Sequence, residues 1–272
     1  MHPRVPRLIA TDLDGTLLRS DGALSARTRD ALRAVEDAGI GVVFVTARPP
    51  RWVDELRAAV GGHGAAICAN GSAVYDVHER SVLVDRGMGP ELVAELVDDL
   101  RRAVAGASFA VESIHGLAAE PGFGANAAPP WDAAHTVDVT HALAGSTLKL
   151  LLRSTALGPV ELLEHVHAAL AERAIVADSG AQGLAEITGP GVTKASTLAH
   201  WAAGHGIEAA DVWAFGDAPN DLPMLAWAGE SFAVANAYPA VRAAASRTCA
   251  SNDDDGVARQ LEAALEGLAR RG

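Results

Sequence analysis

Leu8-Ile9-Ala10-Thr11-Asp12-Leu13-Asp14-Gly15-Thr16 decides the fold of this chain. The apolar run Leu8 to Ala10 is followed by two aspartates one residue apart, and then by a glycine. A short apolar run closed by a turn residue reads as a buried strand. Side chains on a strand repeat every two residues, so Asp12 and Asp14 leave it on the same side. Two carboxylates held together repel one another unless one is protonated or a cation sits between them. Packing alone does not call for such a pair, so the stretch reads as a site.

Working outward, strand-like and helix-like segments alternate. Ser25 is placed to cap a helix whose apolar positions Ala31, Leu32, Val35 and Ala38 fall at helical spacing and which stops at Gly39. The β-branched run Gly41 to Val45 ends in Thr46-Ala47-Arg48, and Pro49-Pro50 opens a helix through Trp52, Leu56 and Val60 that ends at Gly61-Gly62. A third run, Ala65 to Cys68, ends in Asn70-Gly71, and two short pieces, Ser72 to Tyr75 and Ser81 to Val84, predict a hairpin flap. Alternating strands and helices imply a mostly parallel, doubly wound α/β sheet. The strands are continuously apolar, as expected when both faces are covered.

The pattern changes near residue 86. A helix over Glu91 to Val104 precedes strand candidates at Ser108–Val111, Thr147–Leu152, Ile175–Asp178 and Leu184–Ile187, with a helix at Pro159–Ala171. These predict a second, smaller α+β domain over residues 86–185. It is inserted into a core formed by residues 1–85 and 186–272, since insertion is easy where the two ends leave close together. Gly116 to Pro130, rich in Gly, Ala and Pro, reads as a long loop with Phe123 and Trp131 at or near its end. The first pattern then resumes with a helix carrying Lys194, Leu198 and Trp201, and with Val212 to Phe215 running into Gly216-Asp217-Ala218-Pro219-Asn220-Asp221. A strand at Ser231–Ala235 and a helix at Val257–Leu268 complete it. The acidic run Asn252 to Asp255 reads as carboxylates at that last helix's N-terminus, because it lacks the ligand spacing of a calcium loop.

Composition narrows the function classes. The 272 residues are 49% hydrophobic and 21% charged, enough for a sizeable core in one large or two smaller domains. The net charge of −12, with no basic cluster, disfavours nucleic acid. Cys68 and Cys249 lie in apolar contexts and read as buried thiols. Met1 to Pro6 has no secretory apolar region and no window is long and apolar enough for a membrane span, so the sequon Asn70-Gly71-Ser72 is discounted and the expected compartment is the cytoplasm.

Four strand-like runs end in polar residues that packing does not explain: Asp12 and Asp14, Thr46, Asn70, and Asp217. In an open parallel sheet ligands bind beyond the carboxyl ends of the strands, where the strand order reverses. Asp12, Asp14, Asp217 and Asp221 make a hard, oxygen-rich cluster without His or Cys, which points to a magnesium-like ion rather than zinc. The hydroxyl of Thr46 and the cation of Lys194 facing that ion suit a phosphoryl group. Gly189 to Lys194 lacks the spacing of a phosphate-binding P-loop, and no dinucleotide fingerprint follows the first strand.

Asp12-Leu13-Asp14-Gly15-Thr16, Thr46, Lys194 and Gly216 to Leu225, in this order and strand context, resemble the haloacid dehalogenase superfamily, and most closely its Cof-type, class IIB phosphatases. The resemblance covers nearly the whole chain and includes Asn70-Gly71 and Asp255-Gly256-Val257-Ala258. It implies that Asp12 is a nucleophile forming an aspartyl-phosphate and that Asp14 is the general acid and then the general base. It implies Mg²⁺ held by the Asp12 carboxylate, the Asp14 backbone carbonyl and Asp217, with Asp221 in direct or indirect contact. Thr46 and Lys194 would bind phosphoryl oxygens, Asn220 would touch the phosphoryl group or the substrate, and the inserted domain would be a cap. The expected activity is hydrolysis of a small phosphorylated metabolite, a sugar phosphate foremost. A phosphomutase of the same superfamily and a phospho-acceptor signalling module are the alternatives. Neither the oligomeric state nor the cap residues that read the substrate follow from the sequence. Arg48 is open between substrate and surface pairing, and His115, Phe123, Trp131 and Glu186 between core, surface and the cap side of the pocket.

Overall fold

The structure is a computed structural model that describes residues 5–57, 64–124, 133–136, 138–141, 143, 145–179, 181 and 183–269. Two sheets organise it. The first contains β1 (Leu8–Thr11), β2 (Gly41–Val45), β3 (Ala65–Cys68), β4 (Ala73–Asp76) and β5 (Ser81–Asp85). The second contains β6 (Ala107–Ser113), β7 (Gly116–Ala119), β8 (Ala133–Thr136), β9 (Lys149–Ser154), β10 (Ile175–Ala177) and β11 (Ala185–Thr188), and the chain then returns to the first with β12 (Val212–Gly216), β13 (Glu230–Ala233) and β14 (Arg247–Thr248). The helices are α1 (Ala26–Asp37), α2 (Pro50–Val53), α3 (Pro90–Ala103), α4 (Pro159–Leu170), α5 (Lys194–Gly204), α6 (Leu222–Trp227), α7 (Pro239–Ala244) and α8 (Gly256–Ala269). None of the described helices is long and apolar enough to cross a membrane.

The first sheet runs β14-β13-β12-β1-β2-β3-β4-β5. Its strands are parallel from β14 to β3, and β4 and β5 add antiparallel. The pieces read as a hairpin flap are therefore the sheet's own edge. The chain moves from β1 outward through β2 and β3, and returns on the other side of β1 as β12. The reversal of strand order thus lies beside β1, and a crevice opens there past the carboxyl ends. All four residues of β1 are buried, as expected of a strand covered on both faces. Ser25 caps α1, its side chain accepting from the Thr28 amide, and Gly39 takes the left-handed conformation (φ +83°) beyond the helix end. The helix opened by Pro49-Pro50 is short: α2 passes into a 3₁₀ turn at Asp54–Leu56, while Val60, Gly61 and Gly62 lie outside the described residues.

The second sheet runs β10-β11-β9-β6-β7-β8 and is antiparallel except between β7 and β8. Period-two alternation gives it two different faces. Phe109, Val111, Leu150, Leu152 and Ile187 pack against Leu96, Leu100, Leu162 and Val166 of α3 and α4. The other face carries Ala110, Leu117, Ala119 and Leu151 with Phe123. Two features depart from the sequence reading. Gly116–Ala119 is strand β7 rather than the start of a loop, because β6 supplies a ladder partner that a Gly- and Ala-rich stretch does not signal by itself. And β11, starting at Ala185, pairs with β9 and β10, so Glu186–Thr188 belongs to the second sheet although the sequence division at 185/186 counts it with the core.

The two connections between the sheets lie side by side. Arg86, after β5, donates to Thr197 Oγ1 of α5 (2.6 Å), and a Cβ on Gly189 would stand 3.7 Å from the Arg86 carbonyl oxygen. Met88 bridges to Thr147 on the way into α3.

Candidate active site

Asp12 leaves the end of β1, its amide bonded to the Phe215 carbonyl of β12 (3.0 Å). Asp217 follows β12 directly, so the two carboxylates meet across adjacent parallel strands. Lys194, the first residue of α5, is buried between carboxylates: its Nζ donates to Asp12 Oδ1 (2.6 Å) and to Asp221 Oδ1 (2.7 Å). Asp221 Oδ2 accepts from the amides of Asp217 (3.0 Å) and Ala218 (3.1 Å), so this side chain shapes the loop that carries Asp217. Thr16 Oγ1 donates to Asp217 Oδ1 (2.7 Å), and Asn236 Nδ2 ties the Gly15 carbonyl (2.7 Å). Oxygens of Asp12, Asp217 and Asp221 lie within 4.8 Å of one another.

Three carboxylates thus face one ammonium. Burial pushes Asp12 well above the usual carboxylate range; Lys194 opposes this, and Asp221 and Asp217 add to it. Asp217 is pushed up to about 6, chiefly by burial, against the Thr16 hydrogen bond and with help from Asp221. Burial alone would lower Lys194, but the Asp12 and Asp221 carboxylates outweigh it and hold the ammonium charged. An excess of buried negative oxygen of this kind suits a hard divalent cation, and Asp12 and Asp217 are the carboxylates best placed to take one.

Gly15 is required where it stands. Its φ is +79°, and a Cβ there would come within 2.6 Å of Asp217 Oδ2. Gly15→Ala is expected to cost about 1–3 kcal/mol in thermal unfolding, from left-handed strain plus displacement of Asp217, and to lower turnover with it.

Thr46 follows β2, is buried, and its Oγ1 accepts from the Arg48 amide (3.0 Å), which leaves its proton free to donate into the cleft. Arg48 grips Asp14 with two hydrogen bonds, Nε to Oδ2 (2.7 Å) and Nη2 to Oδ1 (2.6 Å). Arg48 is therefore a partner of the second aspartate of the opening pair, whose carboxylate stands at the cleft mouth while that of Asp12 is buried. Asn220 is half-buried on the loop after Asp217. Its Nδ2 donates to Asn70 Oδ1 (3.0 Å), and its own Oδ1 is buried with no hydrogen-bond partner among the described residues.

Behind these residues runs a buried polar chain of which the sequence reading named Asn70 and Glu186 but not Lys149, Ser179 or the pairings. Lys149 of β9 donates to the Ala47 carbonyl (2.9 Å), next to Thr46, and to Glu186 Oε2 (2.9 Å). The same Glu186 oxygen accepts from Asn70 Nδ2 (2.9 Å), and its Oε1 accepts from Ser179. Burial would raise Glu186, but Lys149 and the donors Ser179 and Asn70 hold it below the usual carboxylate range. Asn70 sits in the left-handed region (φ 57°) at the turn into β4, so it both makes that turn and binds the second sheet. Beside this chain Arg51 of α2 grips Glu112 of β6 (3.1 and 3.0 Å). The available signal was a charged residue inside an apolar strand: Lys149 before Leu150-Leu151-Leu152, and Glu186 between Ala185 and Ile187. Of the other open residues, His115 is exposed, Phe123 is buried on the second sheet's inner face, and Trp131 lies outside the described residues.

Asp12, Asp14, Thr46, Lys194 and Asn220 all line one cleft of about 290 Å³ between the two sheets. Asp217 and Asp221 lie against it through Lys194, Asp12 and the Ala218 loop.

A doubly wound α/β sheet, an acidic cluster at its central strand ends and a second sheet set over that cluster define a class of hydrolase. The chain belongs to the haloacid dehalogenase-like hydrolases, whose family model matches residues 9–261. It is similar to a putative phosphatase of Bacillus subtilis, YxeH, with 28% identity over 94% of this chain and 97% of that one. It is also similar to the pyridoxal phosphate phosphatase YbhA of Escherichia coli, with 27% identity over 93% of this chain and 96% of that one. The structure of SMU.1108c from Streptococcus mutans shares the fold, with a TM-score of 0.82 at 23% identity, covering 96% of this chain and 99% of its own.

Proposed function

We propose that this hydrolase is a Mg²⁺-dependent phosphomonoesterase acting on a small phosphorylated metabolite. The observation that carries the reading is the buried Lys194 ammonium clamped to Asp12 at 2.6 Å, with the Thr46 hydroxyl lining the same cleft. That is a carboxylate nucleophile among groups suited to phosphoryl oxygens. The relatives named as phosphatases support it.

In this reading Asp12 attacks phosphorus and the bond to the leaving oxygen breaks, while Asp14 gives that oxygen its proton. Water then attacks the aspartyl-phosphate, passes a proton to Asp14 and frees the Asp12 carboxylate. Asp14 is held by Arg48, and an incoming phosphoryl group competes for that guanidinium and frees the carboxylate to move a proton. Thr46, Lys194 and Asn220 take phosphoryl oxygens; the orphaned Oδ1 of Asn220 suits a hydroxyl or water beside them. Asp12 and Asp217, with Asp221 and the Asp14 main-chain carbonyl beside them, would hold the ion, which supplies charge neutralisation for the transferring group. Residues 86–185, extended through β11, act as a cap that excludes water and reads the leaving group.

The purified chain is expected to release inorganic phosphate from phosphate monoesters with Mg²⁺, sugar phosphates among them, and to lose that activity in EDTA and regain it on adding Mg²⁺. Undiminished release in EDTA would refute the metal requirement. A broad panel of monoesters releasing no phosphate would refute the reading itself.

A further inference from the structure

We propose that the leaving group accepted by this cleft carries an apolar ring. The inference rests on the phosphomonoesterase reading and narrows its substrate class.

The cap side of the cleft is built by strand alternation. On β9, Lys149 and Leu151 share a face, and the ladders set Leu151 beside Ala110 of β6 and Glu186 of β11. The charges on this surface are already engaged. Arg153, which shares the face of Lys149 and Leu151, is engaged by the Gly183 carbonyl (3.3 Å) and the Phe123 ring 5.8 Å away. Glu112 is gripped by Arg51 through two hydrogen bonds, Lys149 is used by Glu186 and the Ala47 carbonyl, and Glu186 has taken donors on both oxygens. Between and beyond them the surface is Leu117, Leu151 and Leu184.

From the first sheet's side the cleft is lined by Pro49 and Trp52, beside Ala47, Arg48 and Arg51. Trp52 is 39% exposed although its helix neighbours Pro50 and Val53 are buried. The Arg51 guanidinium lies 4.9 Å from its ring centroid and fixes the indole at the mouth. An indole held there, lining the same cleft as the leucines, offers a surface for a ring.

A polyhydroxylated leaving group would fare poorly. Beyond Asn220 Oδ1 at the phosphoryl end, a hydroxyl buried against these leucines either goes without a partner or competes for a polar group already engaged, and both cost affinity. An apolar ring leaves every pair intact and removes apolar wall and ring from water together.

The test compares benzyl phosphate with glycerol 1-phosphate, glucose 6-phosphate and ribose 5-phosphate under Mg²⁺. Benzyl and glycerol 1-phosphate both leave as primary alcohols, so the chemical step is similar. The expected result is a kcat/KM for benzyl phosphate at least about 30-fold above each polyol ester, the scale for burying an aromatic side chain. Trp52→Ala and, independently, Leu184→Asn should each cut the benzyl-to-glycerol ratio by about tenfold. Polyol esters turned over as well as benzyl phosphate would overturn the proposal and leave the phosphomonoesterase reading standing. A ratio that neither substitution moves in folded protein would overturn the assignment of this wall. No phosphate release from any of the four, nor from a wider panel of monoesters, would remove the parent reading and the proposal with it.

Discussion

Asp12→Asn is expected to lose more than about 10⁴-fold in kcat while melting no lower than the parent chain. The two halves of this result have the same origin. Asp12, Asp217 and Asp221 crowd their oxygens within 4.8 Å around one ammonium, and burial together with the neighbouring carboxylates already disfavours a charge on Asp12. Asparagine keeps the shape, and its oxygen still accepts from Lys194. It removes one negative charge from a cluster that has too many when no ion is bound, so in EDTA the melting temperature should hold or rise. As a nucleophile, however, the amide is useless. No aspartyl-phosphate forms, and removing the attacking group of a covalent mechanism typically costs many powers of ten. The measurement is steady-state phosphate release beside thermal unfolding with and without Mg²⁺. Turnover near the parent rate would dismiss Asp12 as nucleophile. A large fall in melting temperature in EDTA would show that its charge is needed for folding, against the electrostatic argument.

How much of this was visible in the sequence depends on the range of the interaction. Asp12, Gly15, Thr46 and Asp217 were legible because each sits at the end of a continuously apolar strand, and strand period and glycine sterics are local properties. Lys194 was legible as the first residue of a helix among several strand ends. The pairings were not. Arg48 meets Asp14 across 34 residues, Lys149 meets Glu186 across 37, and Arg51 meets Glu112 across 61, so each depends on the register and placement of elements that no local pattern sets. Strand β7 was missed for a related reason. Gly116-Leu117-Ala118-Ala119 has little strand preference of its own, and its extended state comes from the β6 ladder. Long-range register thus accounts for why the strand-end side of the cleft was readable and the second-sheet side was not.

Lys194→Met should produce the largest loss of stability of any single substitution at the site. The lysine is 2% exposed and is the sole cation bonded to Asp12 and Asp221 among the described residues. Removing one partner of a buried ion pair typically costs about 3–5 kcal/mol, because the remaining charge stays desolvated. Here two carboxylates are left. The expected fall in melting temperature in EDTA is on the order of ten degrees, with phosphatase activity lost as well. Charge counting gives the control. When every group is ionised the parent cluster carries three negative charges and one positive. Lys194→Met leaves three unopposed, and the double substitution Lys194→Met with Asp221→Asn leaves two. The double variant should therefore melt above Lys194→Met, although it has lost a further native group, and it should stay inactive. Mg²⁺ should also raise the melting temperature of Lys194→Met more than that of the parent, since the ion meets a cluster with one more uncompensated charge. If Lys194 acted only through the packing of its alkyl stem, methionine would replace that stem, stability would be nearly unchanged, and neither Asp221→Asn nor Mg²⁺ would separate the variants.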